Sequence, residues 1–370
     1  MRLDTIKAVL CKLLFGSVFY IISRMIMKTC SEPMGSFDYV EEASHYKNKG
    51  CPIGETAFGK GIFLMTIGWA AMTPALVYFA LYRKRKACPD SYGLKAMLLV
   101  ILPSATDMIS TVLSTFGMPW ISLSLAFIFK GGRVVFSALL TILILNRKLR
   151  SYHWMSVGLC VVGLVVAASS QLLSEPSSIY GVLLVLGSEL FKGLRVVIEE
   201  RLMKNESFEP TFLVGVEGLY GTVIFATTLF VVWLGIKGDD HGSFENLEDT
   251  VFRISHSDML IILFSLFPII TCVVSVASAV VTRNLSAVHN GFISVVRVGI
   301  LWIVELILFY SLQSSPLGKQ LGEPWTRLSW LKLAGFIIVL VSSLIYDEDI
   351  KLKWIFNYDH SPQTAKVTEP

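Results

Sequence analysis

The sequence predicts an all-α membrane protein of ten transmembrane helices, arranged as an inverted five-plus-five repeat within a single domain. Three observations predict this fold class. The chain of 370 residues is 54% hydrophobic but only 16% charged, whereas soluble proteins carry about 25% charged residues. Apolar runs long enough to cross a bilayer are separated by short basic clusters. Matching residues also recur about 165 positions apart.

Ten apolar runs occupy most of residues 1–370, which are expected to form one transmembrane domain. The first run is too long for the apolar segment of a cleaved signal peptide, so it is expected to remain as a span. Three prolines, Pro74, Pro103 and Pro268, fall within the runs, where they permit bending. The predicted spans are residues 6–28, 61–82, 96–116, 120–145, 154–173, 179–202, 211–236, 258–281, 286–311 and 331–346.

Lysine and arginine predict the orientation of these spans. With a cytosolic N-terminus, 16 of the 32 basic residues lie on the cytosolic side, 9 lie on the other side and 7 lie within spans. Cytosolic loops attract Lys and Arg, most strongly when the loops are short. Two basic clusters, at 83–86 and 147–150, then share one side. The pattern predicts ten spans, two cytosolic termini and a cytosolic tail at 347–370.

Two pairs of segments indicate an internal repeat. Residues 103–107 of span 3 resemble residues 268–272 of span 8, with an offset of 165, and Arg133-Val134 resembles Arg297-Val298, with an offset of 164. The predicted halves are residues 1–173 and 179–346. Because each half has five spans, the second half would run inverted, an arrangement typical of transporters that bind substrate between the halves. Chance similarity is the alternative, because Pro, Thr and Val are common residues.

Charged residues in the middle of spans are the candidate functional residues. Such a charge costs at least about 2.5–3.5 kcal/mol, so it usually faces a cavity or a partner. In span 6, Glu189, Lys192 and Arg195 recur every three residues and would form one polar stripe. Arg195, Glu217 and Glu305 are further charges within spans. The residues predicted to bind substrate are Asp107, Lys130, Arg133, Glu189, Lys192 and Arg297.

A structural explanation of the same charges stays open. Glu189 would then neutralise Lys192 at the i+3 position, and Asp107 would pair with Lys130 or Arg133. Other charges were predicted to lie close enough to span ends for their side chains to reach the membrane surface. These are Lys12, Arg24, Glu199, Glu200 and Arg201.

The six cysteines are scattered and form no CxxC or Cys/His cluster, so neither a metal nor a cofactor is expected. Cys30 and Cys51 lie in the 29–60 loop, on the side predicted to face the lumen or exterior. A disulfide and two free thiols are both compatible with the sequence. The sequons at Asn205 and Asn284 fall on the predicted cytosolic side, so neither is expected to be glycosylated.

Several segments resemble the drug/metabolite transporter superfamily and, within it, the F-type proteins of solute carrier family 35. The resemblance runs through nearly all the spans and is most specific at residues 197–221. It implies ten helices, an inverted repeat and a central cavity. Gly131 follows Phe129-Lys130 where nucleotide-sugar carriers have Asn, so that motif is incomplete. The segments are residues 103–111, 129–131, 136–137, 147–149, 197–201, 216–221 and 282–287.

The resulting hypothesis is a carrier or exchanger in an endomembrane, such as that of the Golgi or of a lysosome, with a small polar substrate such as a nucleotide sugar, amino acid or peptide. A membrane scaffold that retains the fold without transport is the alternative. The sequence contains no GxSxG or HExxH motif, so an enzyme is not expected. The expected partners are substrate and lipid, with a homodimer left open. Nucleic acid is not expected, since the basic residues lie beside spans.

Overall fold

The computed structural model describes residues 3–34, 51, 55–86, 92–117, 120–121, 129, 131–147, 149–172, 178–238, 240, 242–311, 324–346, 348 and 350. Within these residues the fold is helical, with one short hairpin of antiparallel strands β1 (Cys30–Ser31) and β2 (Thr56–Ala57). The helices are α1 (Leu3–Lys28), α2 (Gly61–Ala70), α3 (Pro74–Lys86), α4 (Leu94–Gly117), α5 (Gly132–Leu145), α6 (Ser151–Leu172), α7 (Ile179–Asn205), α8 (Pro210–Gly235), α9 (Leu247–Ser255), α10 (Asp258–Asn284), α11 (Ala287–Ser311) and α12 (Ser329–Tyr346).

Each predicted span coincides with one or two of these helices. The span at 61–82 is divided into α2 and α3, because Pro74 lacks a backbone N–H and begins a new helix. Pro103 and Pro268, by contrast, lie inside the continuous helices α4 and α10. The span at 120–145 appears as α5, while residues 122–128 and 130 lie outside the described residues. The sequence did not predict α9, which is short and amphipathic.

The helices have the character of a membrane domain. Among the described residues, eight helical segments are long and apolar enough to cross a bilayer, and α5 is a shorter apolar helix. Helix α7 has 27 residues but carries Glu189, Lys192 and Arg195 in its middle. Large apolar side chains such as Leu102, Val165 and Ile269 remain exposed on the outside of the bundle. In lipid these side chains meet a solvent as apolar as themselves.

The packing of the helices is pairwise and repetitive. Helix α4 packs along α7, and α1 packs along α10. Helix α5 also contacts α7, and α11 also contacts α1. Two further pairs, α6 with α12 and α2 with α8, close the outside of the bundle. The polar residues described below therefore lie where α1, α4, α5, α7, α8 and α11 meet.

One end of the bundle, called the disulfide end, joins the loop before α2 to the loop between α8 and α10. Cys30 and Cys51 form a disulfide, which decides between the two alternatives left open by the sequence. The Lys60 ammonium contacts Asp240 and lies 2.7 Å from Asp249. Asp249 also pairs with Arg253 at 2.8 Å. These four charged residues are buried, so the two loops form one ionic cluster.

The pKa values of two acids at the disulfide end are shifted in opposite directions. Burial raises the pKa of Asp249, but hydrogen bonds from Lys60 and the Met34 N–H, with the charge of Arg253, outweigh it. The pKa of Asp249 therefore lies below its ordinary value. Burial raises the pKa of Glu245 above its ordinary value, although its carboxylate accepts hydrogen bonds from the Ile62 and Phe63 N–H groups at the start of α2.

Replacing Asp249 by Asn is expected to lower the free energy of unfolding by about 2 kcal/mol at neutral pH, because Lys60 and Arg253 lose a shared carboxylate. An acid with a lowered folded pKa stabilises above its unfolded pKa, and this stability is lost as pH falls through the folded pKa. The difference from wild type should hold above about pH 5 and shrink in stronger acid. Thermal unfolding of the purified protein across this pH range measures it.

Glu248→Gln is the matched control, since Glu248 is the exposed neighbour in the first turn of α9. This variant should unfold close to wild type at every pH. If Asp249→Asn does not lower the free energy of unfolding at neutral pH, the cluster has no ionic role in stability.

The other end of the bundle, called the tail end, joins helix termini from both halves of the chain. Asn284 donates a hydrogen bond to the Thr5 hydroxyl at 3.1 Å. Arg147 pairs with Glu200 at 3.1 Å, and Glu200 also accepts from the Ala287 N–H at 2.7 Å. Tyr92, which precedes α4, donates to the Ser207 carbonyl, and Tyr152 of α6 bonds to Glu348, which follows α12. In three of these contacts, a residue that follows an even-numbered predicted span meets one at the start of an odd-numbered span. They join spans 8 and 1, 6 and 3, and 10 and 5.

Candidate functional site

A four-residue ionic group, called the Arg195 cluster, joins three helices inside the bundle. Arg195 of α7 lies 2.7 Å from Asp107 of α4 and 2.7 Å from Glu217 of α8, and it also contacts Glu199 one turn along its own helix. All three acids are at least nine-tenths buried. One guanidinium thus provides the ionic contact for three carboxylates on α4, α7 and α8.

The Arg195 cluster is unbalanced in charge and in hydrogen bonds. It holds one cation against three acids, and Oδ1 of Asp107 and Oε1 of Glu217 have no hydrogen-bond partner within the described part of the chain. Buried acids without enough donors are costly. The stability of the cluster therefore depends on Arg195. Two carboxylate oxygens, Oδ1 of Asp107 and Oε1 of Glu217, can each accept a further hydrogen bond or a proton.

A second ionic contact joins α5 to α7. Both Nε and Nη2 of Arg133 donate to the same oxygen of Glu189, at 2.9 and 2.8 Å. Glu189 is fully buried, and its second oxygen has no hydrogen-bond partner among the described residues. The Arg133–Glu189 pair lies two turns from Arg195 along α7, since Glu189 is six residues earlier.

A third group, called the Arg297 group, lies between α1 and α11. Arg297 is 92% buried, and its guanidinium lies 4.8 Å from the ring centre of Tyr20. The guanidinium packs directly on Gly16, where an added Cβ would come within 2.6 Å of it. The nearby Lys12 ammonium donates to the backbone carbonyl and the side-chain oxygen of Asn290. The Arg297 group is Lys12, Gly16, Tyr20, Asn290 and Arg297.

The Arg297 group and the Arg133–Glu189 pair are electrostatic neighbours. The charges of Arg133 and Glu189 act on Arg297, and those of Arg297, Arg133 and Glu199 act on Lys12. Among these described residues, the acid in direct ionic contact with one of the three cations is Glu189. The Arg195 cluster has the opposite imbalance, and Glu199 links it electrostatically to Lys12.

Of the predicted site residues, the structure brings Arg133 and Glu189 into direct contact, and it changes the partners expected for Asp107 and Glu189. Asp107 pairs with Arg195, so the expected pairing with Lys130 or Arg133 is wrong for Arg133. Glu189 pairs with Arg133, so its expected neutralisation of Lys192 is also wrong. Lys192 is half-buried, with no acid within ion-pair distance among the described residues. Lys130 lies outside the described residues.

Three residues assigned to the membrane surface are instead buried inside the bundle, so that prediction was wrong for them. Lys12 is 2% exposed because α10 and α11 cover its face of α1. Glu199 and Glu200 are 3% and 0% exposed because α7 continues to Asn205. The spacing of Glu199 four residues after Arg195 is the sequence signal that could have indicated its contact with Arg195. Tyr20 and Gly16 gave no signal.

The described residues contain no group of His, Cys, Asp and Glu that could hold a metal ion. Most of the buried charges described above form ion pairs between helices. Lys12 and Arg297 are buried cations outside those pairs. Such ionisable groups inside a membrane bundle usually mark a solute or ion pathway.

A solved crystal structure of another protein superposes on this chain with a TM-score of 0.57 at 9% sequence identity, covering 93% of this chain and 96% of the other, so the two share a fold. The human protein Solute carrier family 35 member F6 is 24% identical over 324 residues, covering 82% of this chain and 83% of the relative. An uncharacterized protein of Schizosaccharomyces pombe is 22% identical, covering 75% and 83% respectively.

The apolar helices and the buried charges between them define the class of multi-pass membrane solute carriers. The family assignment is more specific. Residues 111–314 match the model of SLC35F, solute carrier family 35. Because this match covers more than half of the chain, the chain belongs to the SLC35F family, in agreement with the resemblance described above.

Proposed function

We propose that this protein is a carrier that moves a small polar metabolite across an intracellular membrane by alternating access. The single observation that carries the proposal is the set of charged side chains buried between helices of a solute-carrier bundle. Burying so many charges costs more than packing apolar residues there. A solute pathway explains that cost, and a static scaffold does not require it.

Ten spans are supported by how helix ends meet. Helix α7 supplies a charged span, and the shorter apolar helix α5 belongs to another, beyond the eight apolar candidates. The tail end contains Thr5, Tyr92, Tyr152 and Glu348, which lie at or beside an end of α1, α4, α6 and α12 respectively. The N-terminus and the end of the last helix then share one side, as an even number of spans requires.

An inverted repeat, with residues 1–173 as the first half and 179–346 as the second, is supported by the packing pattern. Exchanging each predicted span for the one five places along converts the α4–α7 contact into the α10–α1 contact. The same exchange converts α5–α7 into α11–α1 and leaves the pairs α6–α12 and α2–α8 unchanged. Arg133 and Arg297 become equivalent, so both would line the boundary between halves.

The cytosolic placement of both termini and of the tail at 347–370 is supported by two independent features. The bias of Lys and Arg places the tail end in the cytosol. The Cys30–Cys51 disulfide lies at the opposite end, where an oxidising lumen or exterior would preserve it. Residence in an endomembrane agrees with both features.

The proposed substrate site includes Arg133, Glu189 and Arg297 at the boundary between halves, together with Lys192 of α7 and with Lys130, which precedes α5 by two residues in the sequence. Asp107 would act beside it through the Arg195 cluster. We expect Asp107→Asn to reduce transport at least tenfold, because it removes the negative charge that faces Arg195. Losing a charged hydrogen bond costs about 1.4 kcal/mol or more, which corresponds to a factor of ten. The fold should persist, since Glu199 and Glu217 still contact Arg195.

Uptake by proteoliposomes measures this, using a labelled nucleotide sugar, an amino acid and a dipeptide as solutes. Glu248→Gln, at the exposed start of α9, is the control and should transport like wild type. Uptake of every solute no faster than in protein-free liposomes, by protein that is folded, would favour the scaffold alternative. Uptake by Asp107→Asn equal to wild type would remove Asp107 from the transport site.

A further inference from the structure

Arg297 is a deeply buried cation without a carboxylate contact among the described residues. Its Nε has no hydrogen-bond partner there, and its ring contact is with the face of Tyr20. Arginine stays charged in proteins, so burial cannot be relieved by loss of its proton. A buried charge of this kind needs a compensating anion, or the bundle bears its cost unrelieved.

The contact between α5 and α7 shows what satisfies an arginine in the equivalent place. There Arg133 is bound by the Glu189 carboxylate through two N–H groups. At the α11–α1 contact, the residue of α1 that lies against Arg297 is Gly16, which has no side chain. A Cβ at this position would come within 2.6 Å of Nη1 and 2.8 Å of Cδ of Arg297. The protein therefore provides an acid for Arg133, whereas Gly16 lets the Arg297 guanidinium pack directly against α1, with no acidic side chain at that position.

A second buried cation, Lys12, lies one turn before Gly16 on α1. Lys12 is 98% buried and is held by Asn290, which lies two turns before Arg297 on the same face of α11. Asn290 is itself fixed by hydrogen bonds to Ser278 and Thr282 of α10. Lys12 is thus positioned by a network across three helices, and neither Lys12 nor Arg297 has an acid in ion-pair contact within the described ranges.

We propose that Arg297 and Lys12 bind an oxyanion group, a carboxylate or a phosphate, of the transported solute. This inference rests on the proposed function and names the substrate class of its site. The planar guanidinium offers paired donors that match either oxyanion, and the Lys12 ammonium adds a second positive charge. Arg297 is near the middle of the 25-residue helix α11, so the headgroup of a surrounding lipid at either membrane surface is too far away to supply the anion.

Neighbouring residues already position both cations, so simple anions are adequate probes. Thermal unfolding of the purified full-length protein is followed with inorganic phosphate, sulfate, L-glutamate or UMP at millimolar concentration. The matched uncharged counterpart of UMP is uridine. L-Glutamate is compared with L-glutamine, which keeps the α-carboxylate and lacks only the side-chain charge. We expect at least one anion to raise the melting temperature and its counterpart to do so less, because a ligand that binds the native state stabilises it. A larger rise in melting temperature with phosphate and UMP than with L-glutamate would identify the bound group as a phosphate, and the opposite order would identify it as a carboxylate.

Arg297→Gln should weaken binding of that anion by about tenfold or more, since a charged hydrogen bond is lost. Without anion, this variant should unfold no earlier than wild type, because removing an uncompensated buried cation costs no ion pair. Arg297→Lys keeps the charge without the paired donors and should bind with intermediate affinity. Arg283→Gln, which changes a partly exposed arginine paired with Glu209 at the tail end, is the control and should respond to anions like wild type.

Three outcomes would overturn the proposal. They are stabilisation by anions that is unchanged in Arg297→Gln, equal stabilisation by UMP and uridine, and no stabilisation by any of the four anions. The proposed function is judged separately by proteoliposome uptake. Uptake by a protein that shows any of these three outcomes would keep the carrier and refute the anion site, whereas anion binding without uptake would do the reverse.

Discussion

Replacing Arg195 by Gln is expected to lower the free energy of unfolding by about 4 kcal/mol, because three buried carboxylates lose their ionic contact. The prediction depends on geometry, since Asp107 and Glu217 each lie 2.7 Å from the Arg195 guanidinium and Glu199 contacts it as well. Thermal unfolding in detergent, together with the yield of protein in the membrane fraction, measures the effect.

Lys192→Gln is the matched control, one turn earlier on α7, and should change stability little because Lys192 is half-buried outside any ion pair of the described residues. The double change Asp107→Asn with Glu217→Gln should restore part of the stability of Arg195→Gln, since fewer charges then need a partner. If Arg195→Gln and Lys192→Gln unfold alike, the cluster does not stabilise the bundle.

Replacing Gly335 by Val is expected to lower the free energy of unfolding by about 3 kcal/mol, through overpacking at the contact of α6 with α12. A Cβ at Gly335 would lie 2.6 Å from the Gly163 carbonyl oxygen and 2.7 Å from the Ala167 nitrogen. Both are backbone atoms, so the helices must separate to make room. Small residues permit this close approach of helices, which drives association in lipid.

Gly158→Val serves as the control on α6, because a Cβ at Gly158 meets nothing within 4 Å. Thermal unfolding of both variants measures the difference. The close crossing would be unimportant for stability if Gly335→Val unfolded at the same temperature as Gly158→Val.

The sequence predicted the helices well because the solvent of a membrane protein dictates them. An apolar run in lipid must satisfy its backbone hydrogen bonds internally, and this requires a helix whatever its neighbours are. The predicted limits of the span at 258–281 therefore differ from α10 at Asp258–Asn284 by only three residues at one end. The short helix α9 was missed because it lies outside the apolar runs.

The partners of the buried charges were much harder to predict. Spacing along one helix favoured a contact of Glu189 with Lys192, yet Glu189 pairs with Arg133 on another helix. Only the crossing of α5 and α7 determines that pair, and sequence periodicity contains no information on crossings. Lys12 was misassigned for the same reason, because the burial of its face depends on α10 and α11.

The disulfide end has a consequence for how the protein is made. Asp240 follows Lys60 by 180 residues, so a ribosome that adds about 5–20 residues per second reaches it roughly 10–40 s later. Until then the Lys60 ammonium, 4% exposed in the finished protein, has neither Asp240 nor Asp249 and must stay hydrated. Cys30 and Cys51, only 21 residues apart, are both available to oxidise during that interval. The disulfide can therefore close the loop before α2 while Lys60 still lacks its acidic partners, and these partners are complete once the segment between the seventh and eighth predicted spans has been translated.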